Sequence, residues 1–135
     1  MTQELARSPV SLLLQFLETG TPPEGLFAPD VFCDFTLPRW RLQAQGIAGV
    51  VELRRAGHPG PGSVLARRCD PTPGGFVLEV EEEWAHAGEN WYAREIFRAD
   101  VEATGKISAL SVYCTGDWDR SRRAQHAREV QLLRR

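Results

Sequence analysis

The chain changes its hydrophobic period near residue 62, and this change limits the folds open to it. Before that point apolar residues recur at helical spacing, in residues 8–19 and again in 46–56. After it, apolar and polar residues alternate in segments separated by turn residues, as they do in the strands of a sheet. Helices followed by such strands are typical of an α+β domain, in which segregated helices pack on one face of the sheet.

The segments around the two helices are assigned from their turn and β-forming residues. Residues 26–30 are predicted to form one further helical turn, and residues 31–35 a strand. The loop 58–62 is rich in Gly and Pro but lacks the spacing of a phosphate-binding loop, so we assign no chemistry to it. The second half is predicted to be an antiparallel meander of four strands, which cover residues 63–69, 76–86, 90–101 and 107–115.

Length and charge exclude several classes of protein. With 135 residues, 42% of them apolar, the chain suits one domain that buries a core, predicted over residues 1–118. Residues 119–135 are predicted to be a basic helix or tail: they carry +4, which leaves −6 for the rest of a chain whose net charge is −2. Such an acidic body argues against a nucleic-acid partner. Because the sequence shows no long apolar run and no secretory leader, we expect no membrane partner and a cytoplasmic location.

Cysteines and histidines give no sign of a metal site. The three cysteines are widely spaced and form no CxxC pair, so we expect reduced thiols. His58 lies in a loop, His86 near a turn and His126 in the tail, and no two of them have the spacing of metal ligands. We therefore expect no metal and no other cofactor.

Two glutamates, Glu82 and Glu95, fall in the apolar register of the second and third strands of the meander. A charge on an apolar face is costly unless it is paired, solvated or neutralised, and functional groups collect at such positions. Two structural alternatives remain open. A bulge could turn either residue outward, or both could join a structural network with an arginine such as Arg67 or Arg68.

Charges on the opposite face of the same strands need no function. Glu79, Glu81 and Glu83 can lie across from Arg94 and Arg98. Exposed cross-strand pairs of this kind contribute only some tenths of a kcal/mol each.

The order of the elements resembles the SnoaL-like, ketosteroid-isomerase-like group of the nuclear transport factor 2-like superfamily. The similarity covers residues 8–118, and its motifs are Leu26-Phe27-Ala28-Pro29-Asp30, a helix beginning at Gly46, Glu95-Ile96-Phe97-Arg98 and Gly105-Lys106-Ile107. The resemblance implies a cone-shaped, strongly bent antiparallel sheet wrapped around N-terminal helices, the cystatin-like α+β barrel. It also implies an apolar pocket between sheet and helices, and a homodimer that pairs through the sheets.

The resemblance assigns site residues as well. Glu95 stands where the isomerases have a pocket acid that stays protonated and donates a hydrogen bond to a developing oxyanion. Their base and their helical tyrosine correspond to Phe35 and Leu13, so steroid isomerisation by that mechanism is not expected. Asp34 is adjacent to the base position, although alternation puts it on the face opposite Phe35. The implied pocket lining is Phe35, Leu53, Leu78, Val80, Trp84, Phe97, Leu110, Val112 and Cys114.

Alternation alone does not decide which face of the last strand points inward. The resemblance favours the face of Leu110, Val112 and Cys114; in the alternative Tyr113 lines the pocket, where its hydroxyl is a plausible proton donor. Trp40 and Trp118 are expected to close the rim of the pocket or simply to pack.

Two functions are compatible with these residues. The first is an enzyme that acts without a cofactor, by acid–base catalysis, on a hydrophobic oxygenated small molecule such as a polyketide or terpenoid intermediate of specialised metabolism. It would be a cyclase, isomerase or hydrolase, with Glu95 and Glu82 as the acid and base and Tyr113 and Asp34 as further candidates. The second is a non-catalytic ligand-binding or dimeric interaction module of the same fold. We favour the enzyme.

Overall fold

The computed structural model describes residues 8–135 and has the predicted α+β architecture, with three helices and one six-stranded sheet. The helices are α1 (Pro9–Thr19), α2 (Ile47–Gly57) and α3 (Arg120–Glu129). The strands are β1 (Phe27–Leu37), β2 (Trp40–Gln45), β3 (Gly62–Thr72), β4 (Gly75–His86), β5 (Glu89–Val101) and β6 (Ile107–Cys114).

The sheet is mixed, where the sequence predicted only antiparallel strands. Its strand order is β2-β1-β6-β5-β4-β3, and β1 runs parallel to β6 while the other neighbours are antiparallel. Parallel neighbours need a long connection between them. Here the connection contains β2, α2 and the strands β3 to β5, so the predicted meander itself is present and β1 joins its open edge.

The two predicted N-terminal helices are confirmed, and their ends follow from their sequences. The hydroxyl of Ser8 accepts a hydrogen bond from the backbone N–H of Ser11, and Pro9 occupies the first turn of α1. The helix ends at Gly20, whose φ of 76° is left-handed and suits glycine. Leu13, Phe16 and Leu17 of α1, with Val50 of α2, pack in the core against the inner face of the sheet.

The predicted helical turn at residues 26–30 is wrong, because β1 already begins at Phe27. The backbone N–H of Ile107 donates to the carbonyl of Leu26, and Phe27 pairs with Ile107, so sheet pairing overrides the local turn signal. Pro29 falls in the irregularity between Phe27 and Phe32, a place in a strand that tolerates a residue without an N–H. The edge strand β2, whose side chains are mostly exposed, was not predicted from the sequence.

The C-terminal segment forms a helix that lies at the outer face of β4 and β5. The side chain of Asp119 caps the helix by accepting from the N–H of Arg122. The Arg123 guanidinium stacks over the Tyr92 ring at 4.2 Å and donates to Glu83 at 2.9 Å. None of the helices in residues 8–135 is long and apolar enough to cross a membrane.

Candidate functional site

The inner face of the sheet carries two buried carboxyl groups, as the alternation predicted. In the β4–β5 register Glu95 lies opposite Val80, and Glu82 lies opposite Ala93. The two glutamates are therefore diagonal neighbours on one face of the hairpin. Their side chains are 3% exposed for Glu82 and 0% for Glu95.

Arg54 of α2 reaches across the core and neutralises Glu82. Its Nη1 donates to Oε2 of Glu82 at 2.9 Å, and its Nη2 donates to Oε1 and, at 2.6 Å, to the backbone carbonyl of Leu17. Burial acts to raise the pKa of Glu82, but the neighbouring Glu95 carboxyl and His58, together with the hydrogen bonds from Arg54, outweigh it and hold that pKa far below its ordinary value. Glu82 is therefore an ionised carboxylate.

The predicted structural network thus exists for Glu82, but with a different arginine from those the sequence suggested. Arg67 pairs with Glu81, and Arg68 pairs with Asp70, both at exposed positions.

Glu95 is in the opposite state. Its oxygens accept no hydrogen bond from any group in residues 8–135, and the nearest cationic atoms, Nε2 of His58 and Nη1 of Arg54, lie 3.8 Å and 3.9 Å from Oε1. Burial raises the pKa of Glu95 well above its ordinary value, and the neighbouring Glu82 carboxylate adds to the rise. Glu95 is therefore held as a neutral acid, which can donate a hydrogen bond.

His58 completes the cluster from the end of α2. Its backbone N–H donates to the carbonyl of Arg54, and its ring stacks on Trp84 with the centroids 4.0 Å apart. Nδ1 lies 3.6 Å from Oε1 of Glu82, and Nε2 lies 3.5 Å from Oδ1 of Asp117. Burial acts to lower the pKa of His58, but the Asp117 and Glu82 carboxylates outweigh it and raise that pKa above its ordinary value.

Arg54 and His58 were not predicted as site residues from the sequence. Arg54 was not singled out in the second helix, and no chemistry was assigned to the loop that begins at His58. The spacing of these two residues in the sequence could have indicated them. Residues four apart share one face of a helix, so His58 extends the inward line of Arg54.

A cavity of about 40 Å³ opens beside the cluster, between the helices and the sheet. Arg54, His58 and Glu95 supply its polar wall. The predicted pocket residues on its wall are Phe35, Leu53, Phe97, Leu110 and Val112. Others lie close by: Leu78 and Val80 are in the buried core, Trp84 stacks on His58, and Cys114 pairs with Glu95 across β5 and β6.

Three predicted site residues lie away from this cluster. Tyr113 is 60% exposed on the outer face, because Val112 and Leu110 take the inward positions of β6. Asp34 also points outward and forms an ion pair with Arg41, whose hydrogen bond lowers the pKa of the Asp34 carboxyl. Trp40, in the edge strand β2, is 68% exposed.

Three side chains of the cluster are of types that bind metal ions. His58, Glu82 and Glu95 each offer one ligand atom, and these atoms lie within 4.8 Å of one another. Arg54 already places a positive charge on both oxygens of Glu82, and the two nitrogens of His58 face different carboxylates. This donor set is better suited to hold and move protons than to surround one ion.

Comparison with known proteins identifies the fold. No family model and no curated protein matches the chain. Among solved structures, an NTF2-like protein from Anabaena variabilis ATCC 29413 shares 18% identity over 86% of this chain and 90% of its own, with a TM-score of 0.68. The chain has the nuclear transport factor 2-like fold.

Further structures with this fold are similar over most of their length. An NTF-2 like protein of unknown function from Burkholderia xenovorans LB400 shares 18% identity over 98% of both chains, with a TM-score of 0.58. A hypothetical protein with a ketosteroid isomerase-like fold from Catenulispora acidiphila DSM 44928, in complex with trimethylamine, shares 9% identity over 81% of this chain and 86% of its own, with a TM-score of 0.63. The nuclear transport factor 2-like fold expected from the sequence is thereby confirmed.

Proposed function

We propose that the protein is a small-molecule enzyme that acts by acid–base catalysis, without a cofactor, on an apolar compound that contains a carbonyl group. One observation carries the proposal. Glu95 has a fully buried carboxyl group, kept neutral by its surroundings, on the wall of an otherwise mostly apolar cavity. A neutral carboxylic acid in such a place donates a strong hydrogen bond to an oxygen on which negative charge develops.

The two carboxyl groups of the cluster are in different protonation states. Glu82 stays ionised because Arg54 bonds to both of its oxygens, while Glu95 keeps its proton because it has no such partner in the described chain. Pairs of titratable groups with pKa values pushed apart are typical of acid–base sites. Proton abstraction next to a carbonyl group, followed by ring closure or a double-bond shift, is the reaction class in which a neutral acid such as Glu95 stabilises the oxygen that gains negative charge.

The size of the cavity limits the substrate. Pockets for drug-sized ligands measure roughly 300–1,000 Å³, and this cavity measures about 40 Å³. Only a very small ketone or aldehyde fits without rearrangement. A polyketide or terpenoid intermediate, the substrate class that the resemblance to SnoaL-like proteins favours, requires α1 or α2 to move away from the sheet.

The proposal can be tested before the natural substrate is known. In D2O, an enzyme that abstracts a proton next to a carbonyl group exchanges that proton for deuterium, and ¹H NMR follows the loss of signal. We expect the protein to accelerate exchange in acetone or cyclopentanone above the buffer rate. The Glu95→Gln variant should lose about 100-fold or more of this rate, because an amide is a much weaker acid than a carboxyl group.

Glu79→Gln is the matched control, since Glu79 lies on the outer face and pairs with Arg94. It should exchange protons at the rate of the unmodified protein. Equal rates for Glu95→Gln and the unmodified protein, or no exchange above buffer with any small ketone, would refute the enzymatic proposal.

The second candidate is a non-catalytic ligand-binding domain. The Arg54–Glu82 pair favours it, because Arg54 also bonds to the end of α1 and so ties helix to sheet. The trimethylamine complex of the Catenulispora acidiphila protein shows a small ligand held by a similar fold. Saturable binding of a small ketone or amine with no proton exchange would support this function. A homodimer through the sheet remains a prediction, with exposed Ile96 and Tyr113 as its apolar contacts.

A further inference from the structure

We propose that His58 is the base of this site: its Nε2 removes the proton next to the substrate carbonyl and exchanges it with solvent through Asp117. This inference rests on the proposed function and deepens it. It assigns the second half of the reaction to a residue that neither the sequence pattern nor the resemblance indicated.

The position of His58 relative to Glu95 supports this role. Both residues line the same cavity, and Nε2 lies 3.8 Å from Oε1 of Glu95. A carbonyl oxygen and the carbon next to the carbonyl group are neighbouring parts of one small molecule. When Glu95 donates to the oxygen, Nε2 is therefore close enough to reach the proton on that carbon.

Glu82 stabilises the tautomer of the His58 imidazole that acts as the base. Its carboxylate faces Nδ1 at 3.6 Å, and this nitrogen has no closer hydrogen-bond partner in residues 8–135. Two carboxylates compete for the imidazole proton, Glu82 at Nδ1 and Asp117 at Nε2. In the tautomer that reacts, the proton is on Nδ1 beside Glu82 and the lone pair is on Nε2. Stacking on Trp84 fixes the plane of the ring. Glu82 is thus a positioning residue.

Asp117 connects the base to solvent. Its Oδ1 lies 3.5 Å from the same Nε2, and its side chain is 37% exposed, whereas that of His58 is 7% exposed. Buried Glu95, His58 and half-exposed Asp117 form a short series from the cavity to the surface. A proton collected at Nε2 can leave along it, and a proton or deuteron from water can return.

The proposed step is balanced in atoms and charge. The C–H bond next to the carbonyl group breaks, an N–H bond forms at Nε2, and the C–H electrons move into a carbon–carbon double bond. The carbonyl oxygen takes the negative charge and is stabilised by the O–H of Glu95. In the reverse direction Nε2 returns a proton or deuteron to the same carbon or to another carbon of the enolate.

The charges around His58 predict how the rate changes with pH. Glu82 of β4, Glu95 of β5 and Asp117 after β6 face the ring, and the positive charge of Arg54 of α2 also acts on it. The base must be neutral, so exchange should increase as the pH rises through the pKa of His58. It should decrease again where Glu95 loses its proton, which gives a bell-shaped profile.

The test compares exchange rates of small ketones in D2O from pH 5 to pH 9 for His58→Gln and Asp117→Asn. His58→Gln should lower the maximal rate about 100-fold or more while ketone affinity, measured by NMR titration, stays the same. Asp117→Asn should move the ascending limb of the profile to lower pH, because it removes a carboxylate that favours the imidazolium. His86→Gln and Asp100→Asn, both at exposed positions, are matched controls with unchanged profiles.

The failures of the two proposals are distinguishable. If Glu95→Gln is inactive and His58→Gln retains the full rate, the inference about His58 is refuted while the proposed function stands. If the unmodified protein is inert, both are refuted. If His58→Gln does not fold, Asp117→Asn decides: an unchanged pH profile overturns the role of His58, and the shifted limb supports it.

Discussion

Both faces of the β4–β5 hairpin carry glutamates, but those on the outer face are exposed to solvent and those on the inner face are buried. On the outer face, Glu79 pairs with Arg94 at 2.9 Å, and both side chains are partly exposed to solvent. On the inner face, Glu82 and Glu95 are almost completely buried, and only Glu82 has an arginine bonded to it. One step along the strand therefore changes a glutamate from a surface charge into a group whose ionisation its neighbours control.

Exposure to solvent, more than the ion pair itself, therefore determines how much a charged side chain contributes to the stability of the fold. Water already stabilises the outer glutamates, so an ion pair there contributes from zero to about 1 kcal/mol. Inside, desolvation costs several kcal/mol per ion, which a well-bonded partner must offset. Arg54 offsets this cost for Glu82, whereas Glu95 avoids it by keeping its proton.

The largest expected effect follows from removing the inner arginine. Arg54→Met leaves Glu82 ionised and buried without its partner and also breaks the bond to the carbonyl of Leu17. We expect a loss of about 3–5 kcal/mol in the free energy of unfolding, measured with urea. Arg94→Met on the outer face should cost less than about 1 kcal/mol.

A double variant separates the cost of the unpaired charge from the loss of the arginine itself. Arg54→Met combined with Glu82→Gln replaces the charged pair by neutral side chains, so the double variant should be more stable than Arg54→Met alone. Equal losses for Arg54→Met and Arg94→Met would show that burial does not distinguish the two faces.

A smaller effect is expected on the pH dependence of the free energy of unfolding. The pKa of Glu95 is raised in the folded protein above its ordinary 4.5, so its neutral form favours folding at low pH, and this stability is lost as the pH rises from 4.5 to the folded pKa. The pKa of His58 is raised above 6.5, so its contribution is complete below pH 6.5 and is lost as the pH rises through the folded pKa. Both groups therefore favour the folded state near pH 5 over pH 8. Below about 4.5 the lowered pKa of Glu82 reverses the trend.

Urea unfolding at pH 5, 6, 7 and 8 tests the direction in which the free energy of unfolding changes with pH. Each group can change the unfolding free energy by up to about 1.4 kcal/mol per pH unit within its window. Glu95→Gln should flatten the curve and exceed the unmodified protein in stability at pH 8, because the amide has no proton to lose. Glu79→Gln should leave the curve unchanged. A stability maximum at pH 8 for the unmodified protein would contradict the assigned state of Glu95.

Alternation along the strands made the inner carboxylates predictable. The positions of Leu78, Val80, Glu82 and Trp84 follow from the period of two in β4, and all four are buried. The same rule placed Glu95 and Phe97 inward on β5. These predictions succeeded because one face of the hairpin is buried and a slip of one residue would expose its whole apolar set.

Contacts between distant segments could not be predicted in the same way. Arg54 meets Glu82 only because α2 packs across the sheet, and the pairing of Leu26 and Phe27 with Ile107 turned an apparent helical turn into a strand. Alternation also left the face of Tyr113 open, because both faces of β6 carry apolar residues. Only the packing of Leu110 and Val112 in the core settles that register.

The smallest expected effect belongs to two residues that the sequence offered as catalytic candidates. Tyr113→Phe and Asp34→Asn change side chains that lie on the outer face, away from the cavity. Their rates of ketone proton exchange should equal that of the unmodified protein, while the inner Glu95→Gln should be about 100-fold or more slower. A loss of about 100-fold or more in either outer variant is on the scale of a lost acid or base. It would mean that the outer face of the sheet, and not the buried cluster, carries the reaction.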